Sequence, residues 1–115
     1  MCVKMTERKS VPISIQTLDT IKYGLEPQKF KVNSLIEDHY KEVYKISERS
    51  LLALLEIKVS SYLLEEMIAK FIDIAKQNEE DKVDMFPEEV TLLSTLARTV
   101  SYAESISPHI SLSLH

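Results

Sequence analysis

The chain has a single glycine, no tryptophan and a single cysteine in 115 residues. Each scarcity excludes something. β-rich folds need tight turns, and tight turns favour glycine, so one glycine argues for helices joined by short polar links. Cys2 has no internal partner, so no disulfide framework is available and an intracellular setting is the default. No apolar run reaches the ~18–20 uncharged residues that a membrane-spanning helix needs. MCVKMTERKS lacks the apolar region of a signal peptide. Basic charge is scarce in the second half: residues 59–115 carry 4 Lys/Arg against 10 Asp/Glu, whereas residues 1–58 carry 10 against 8. An acidic half of this kind does not bind a phosphate backbone by itself. Lys4, Arg8 and Lys9 at the other end could do so weakly, although a solvated basic tail explains them as well.

What remains is ordinary for one small soluble domain: 44% hydrophobic, 28% charged, net charge −4. A chain of this length can bury a core without a disulfide or a metal.

The pattern along the chain predicts an all-α fold, a bundle of about four to five helices with a short β-like segment at each end. Residues 1–10 read as a flexible tail. Residues 11–104 read as the helical domain, and 105–115 as a linker or the first strand of a truncated β-domain. VPISIQ alternates, with Val11, Ile13 and Ile15 on one side, but Pro12 confines it to a sheet edge or an extended arm. Thr17 can cap a short helix that Gly24 would end, with Pro27 following. Asn33 can cap the next, whose stripe is Val32, Leu35, Ile36, Tyr40, Val43, Tyr44 and Ile46. A helix running on from Asn33 to Asn78 would be about 69 Å long at ~1.5 Å per residue, so a break is placed at ISERS, where Ser47 and Ser50 can start a new one.

LLALLEIKVSSYLLEEMIAKFIDIA, Leu51 to Ala75, carries two apolar stripes. Leu52, Leu55, Val59, Tyr62 and Leu63 form the first; Ile57, Leu64, Ile68, Phe71 and Ala75 form the second. A helix lying on one partner needs a single stripe about 100° wide, so two stripes predict burial on two sides. A bend is expected at Ser60–Ser61, where serines can bond back to the preceding turn. KQNEEDKVD reads as a polar loop. Pro87 then opens a helix with Glu88 and Glu89 at its positive end; Val90, Leu93, Leu96, Ala97 and Val100 face inward. In the tail, Ile110, Leu112 and Leu114 return to strand period. A lone strand is unstable in water, so this one would pair with VPISIQ or with another chain, or begin something that follows.

Groups that do chemistry are sparse. His39, His109 and His115 fit no zinc spacing. His39 reads as a helix-surface histidine beside Asp38. One glycine cannot build a phosphate loop, no nucleophile elbow is present, and EEDKVD lacks the spacing and glycine of a calcium loop. Tyr23, Tyr40, Tyr44, Tyr62 and Tyr102 suit core edges and interfaces alike. The expectation is a non-catalytic binding or scaffold protein without metal or cofactor.

Three stretches carry a family resemblance. LIEDHYKEV (Leu35–Val43) is similar to the leucine, acidic, aromatic opening of a helix in GINS subunits. Leu51–Ala75 is similar to the long central helices of that family, and DMFPEEVTLL (Asp84–Leu93) resembles the proline-glutamate-glutamate start of the next. The resemblance covers just over half the chain and rests on order and spacing. It is nearest to the subunit type whose helical domain comes first. Ile36 stands where a proline is common and Phe86 where a capping threonine is common, which leaves the cap to another group such as Asp84. Lys70 is the nearest match to a basic position of the central helix.

The resemblance implies a DNA-replication factor, a subunit of a homo- or hetero-oligomer that scaffolds and activates the MCM replicative helicase, with a RecJ-like partner. It would sit in the cytoplasm beside the nucleoid in an archaeon, or in the nucleus of a eukaryote. The subunit-interface candidates are Leu55, Val59, Tyr62, Leu63, Leu64, Ile68 and Phe71. Two alternatives stay open. One is a helical adaptor unrelated to replication. The other is a ribbon-helix-helix DNA-binding regulator, with VPISIQ as the strand, TLDTIKYG and VNSLIEDHYKEVY as the helices, and Arg8, Lys9, Ser14 and Gln16 as contact candidates.

Overall fold

The computed structural model describes residues 9–103. The chain is mostly helical and runs strand β1 (Val11–Ser14), helix α1 (Ile15–Tyr40), helix α2 (Glu48–Gln77), strand β2 (Lys82–Met85) and helix α3 (Pro87–Ser101). The described residues thus hold three helices, not four to five. The two segments expected to form separate helices before residue 46 are one.

α1 passes straight through Gly24 and Pro27. Leu18, Leu25 and Val32 recur every seven residues on its buried side, and Ile36 extends the row. Packing of that row against α2 outweighs a glycine cost of about 1 kcal/mol. Pro27 is exposed, on the side away from the core. The helix starts at Ser14, whose hydroxyl accepts the N–H of Thr17 at 3.1 Å. Asn33 is interior to it and caps nothing.

α2 begins where ISERS suggested. Ser47 is the N-cap, and its hydroxyl accepts the N–H of Ser50 at 3.2 Å. The helix is continuous through Ser60–Ser61, and Ser61 does bond back, Oγ to the carbonyl of Lys58 at 2.7 Å. Both serines are buried, and they separate two apolar clusters. The larger joins Leu18, Leu25, Leu64, Ile68, Ile72, Val83, Met85 and Val100. The smaller joins Val32, Ile36, Leu54, Ile57 and Ala103.

The strand VPISIQ finds its partner inside the expected polar loop. β1 pairs antiparallel with β2, Val11 opposite Met85 and Ile13 opposite Val83. Ile15 donates to the carbonyl of Asp81 at 2.9 Å, one step beyond the ladder. Bonded pairs alternate from there, which makes Ile13–Val83 and Val11–Met85 bonded pairs and Pro12–Asp84 an unbonded one. The missing N–H of Pro12 therefore points to the open edge, the position where a proline costs no ladder bond. Val83 and Met85 turn inward onto α2, while Lys82 and Asp84 face solvent.

Phe86 precedes α3 and has no side-chain acceptor to offer. Asp84 does not supply the cap. Glu89 supplies only the return half of a capping box: its Oε1 accepts the Phe86 N–H at 2.7 Å. The tail strand and its histidines lie outside the described residues.

Candidate apolar interface on helix α2

The two stripes of Leu51–Ala75 separate on folding. Leu64 and Ile68 are fully buried, and Ile57 and Ala75 nearly so. All four face α1, α3 and the sheet. The other stripe faces water: Leu52 is 67% exposed, Val59 57%, Leu63 54% and Tyr62 47%. At ~100° per residue, Val59 lies about 140° around the helix from Leu64. Core and open row thus occupy opposite sides of one helix.

The interface candidates divide accordingly. Val59, Tyr62 and Leu63 form the open row, with Leu55 half-buried at its edge against the smaller cluster. Leu64 and Ile68 belong to the chain's own core and offer nothing to a second chain. Phe71 packs against that core and shows one edge to a groove.

The groove lies between α2 and α3 and holds about 410 Å³. Its apolar lining is Leu63, Met67, Phe71, Leu92 and Leu96, with Glu66, Lys70 and Glu89 at the rim. Leu63 belongs to both groove and open row and so links the two. Leu92 is 51% exposed, and the sequence reading passed over it. Its signal was available: it is the apolar residue of α3 that falls off the inward set.

Charge borders the row on the α1 side. Lys29 Nζ meets Glu65 at 2.7 Å and Glu26 at 3.5 Å, and stands 5.3 Å from the Tyr62 ring centroid. The hydrogen bond to Glu65 is the main reason the Lys29 ammonium pKa is raised above its ordinary value; burial opposes it, and the charges of Glu65 and Glu26 add to it. Tyr62 is thereby tied to α1 and forms one bank of the row.

Of the DNA-contact candidates, three lie within the described residues. Ser14 is spent capping α1, Gln16 lies in its first turn, Lys9 is exposed ahead of β1, and Arg8 is outside the described residues. The two helices expected for a ribbon-helix-helix unit, in TLDTIKYG and VNSLIEDHYKEVY, are not separate: one unbroken helix occupies Ile15–Tyr40, and β1 pairs with β2 of its own chain. Among the described residues no three His, Cys, Asp or Glu side chains gather to hold a metal, and no helix is long and apolar enough to cross a membrane.

No family model matches the chain. Comparison with characterised proteins and with solved structures gave no match either.

Proposed function

We propose that the chain is a non-catalytic assembly subunit that works by packing the open side of α2 against another helical protein. One observation carries this reading: the row Leu52, Val59, Tyr62 and Leu63 stands in water on the side of α2 opposite a complete core. None of the four belongs to either buried cluster. Fully burying a leucine or valine is worth ~1.5–3 kcal/mol, and a half-exposed one still has about half of that to gain. Exposed apolar residues grouped on one helix face mark interaction sites.

The finer reading is a GINS-like subunit that scaffolds the MCM replicative helicase. It rests on the resemblance of the long central helix and of the helix opened by Pro87, Glu88 and Glu89, and on their order; the third stretch, Leu35–Val43, is the end of α1 and not the opening of a helix, so it lends no support.

The test has two parts. The mass of the purified chain and of Val59→Asp/Leu63→Asp is measured by light scattering, and tagged versions of both are used for nuclease-treated pull-downs from source cells. The assembly reading expects a partner, a further copy or a different protein, that the double variant loses while keeping its helical content. A partner held equally well by the double variant overturns it. Recovery of MCM helicase subunits supports the replication reading, and recovery of a defined complex without them removes that reading alone.

A further inference from the structure

The link between α1 and α2 is closed by a side chain. His39 lies on the core-facing seam of α1, seven residues after Val32. Its ring meets Tyr40 edge-on, centroids 5.4 Å apart at 80°. Its Nδ1 accepts the backbone N–H of Ile46 at 3.1 Å. Ile46 immediately precedes Ser47, the cap of α2, and its side chain packs against the smaller apolar cluster beside Leu51 and Leu55. One hydrogen bond thus ties the end of α1 to the entry of α2.

An imidazole nitrogen accepts a hydrogen bond only while its lone pair is free. The bond therefore requires neutral His39 with its proton on Nε2. Adding a proton places a hydrogen on Nδ1, and two donors then face one another. Elsewhere the link is held by backbone bonds that do not titrate: Lys41 to Glu37, Glu42 to His39, and Val43 and Tyr44 to Asp38. Those bonds end at Tyr44; beyond it the His39–Ile46 hydrogen bond and the packing of the Ile46 side chain hold the last residues before α2.

We propose that His39 is a proton-operated latch on the α1–α2 link, closed when the ring is neutral and open when it is protonated. The titratable and charged groups on the elements that meet there are Asp38 and Tyr40 of α1, Lys41, Glu42, Tyr44 and Lys45 of the link, and Glu48 and Arg49 in the first turn of α2. Lys41 pairs with Glu37, and Lys45 with Glu42. The state of the link is felt next door, because Leu52 and Leu55, at the near end of the open row, lie in the first turns of α2. The latch does not depend on that row having a partner.

The experiment is NMR on the ¹⁵N-labelled full chain between pH 7.5 and pH 5. The expected result is an Nε2–H tautomer for His39 at the upper pH. The protection factor of the Ile46 amide, which corrects for the intrinsic pH dependence of exchange, should fall at least tenfold as His39 titrates, while that of Leu96 in α3 holds. His39→Asn supplies an acceptor near the Nδ1 position and does not titrate, so its Ile46 protection should be the same at both ends of the range. An Nδ1–H tautomer at pH 7.5, an Ile46 amide indifferent to His39 titration, or a pH dependence that survives in His39→Asn would each overturn the latch.

Discussion

Glu42 and Glu79 occupy the same backbone position, the first residue beyond the C-cap of α1 and of α2, and both have left-handed backbone, at φ 60° and 54°. The bonds around them match. Glu42 donates to His39 and Val43 to Asp38; Glu79 donates to Lys76 and Glu80 to Ala75. Each helix therefore ends in a Schellman motif, with a glutamate where glycine is the usual residue. The chain's one glycine is elsewhere, in the middle of α1.

A left-handed position costs a residue with a Cβ roughly 1 kcal/mol. Glu42→Gly and Glu79→Gly should each raise stability by about 0.5–1 kcal/mol, the gain trimmed by the extra freedom glycine gives the unfolded chain. The exposed Lys45–Glu42 pair lost in the first variant is worth little. Urea unfolding followed by circular dichroism reads both. A lower midpoint in both variants would mean that the glutamate side chains contribute more than their backbones cost.

The reverse substitution is expected to help at Gly24. It lies in a helix, and a Cβ there would meet nothing within 4 Å. Gly24→Ala should add about 1 kcal/mol, read as a rise in thermal midpoint. A fall would show that α1 needs a soft point between Gly24 and Pro27.

Leu63 and Leu64 are neighbours with opposite tasks. Leu64→Ala empties a fully buried site and should cost about 3–5 kcal/mol. Leu63→Ala should change the stability of the isolated chain by less than about 1 kcal/mol while weakening any assembly made through the open row. Equal losses in thermal midpoint would put Leu63 in the fold and remove it from the interface.

These residues also show what the sequence could and could not reveal. Two stripes on one helix are a matter of period, so the division into core row and open row was legible. Which stripe was which was not, because that depends on where α1 and α3 come to lie; hence Leu64 and Ile68 were grouped with Val59. Ser47 was readable as a cap and Pro12 as an edge residue, since each follows from local chemistry. Gly24 and Pro27 misled because the packing of Leu18, Leu25, Val32 and Ile36 outweighs a glycine and an exposed proline inside the helix. Strand β2 was hidden because only Val83 and Met85 carry its alternation. The helix ends were hidden because glutamates stand where glycines would announce them. The groove residue Leu92 becomes meaningful only once α3 lies beside Leu63.

The Lys29–Glu65 pair gives the chain a pH signature at the alkaline end. The Lys29 pKa is raised above 10.5, chiefly by the Glu65 hydrogen bond. A group whose pKa is higher in the folded state contributes stability that is fully present below its unfolded value and lost as pH rises through its folded value. The contribution of Lys29 is therefore constant through neutral pH and declines only above about pH 10.5. The side chains are 16% and 28% exposed, so the pair is better shielded than a surface contact and worth about 1 kcal/mol. Glu65→Gln keeps the shape and removes the charge. Urea unfolding of both proteins from pH 7 to pH 11, taken as a difference so that tyrosine titration cancels, should show a gap of about that size at pH 7 to 10 that narrows above. A gap of unchanged size at pH 11 would mean that Glu65 acts by packing against Lys29 and Tyr62 and not by its charge.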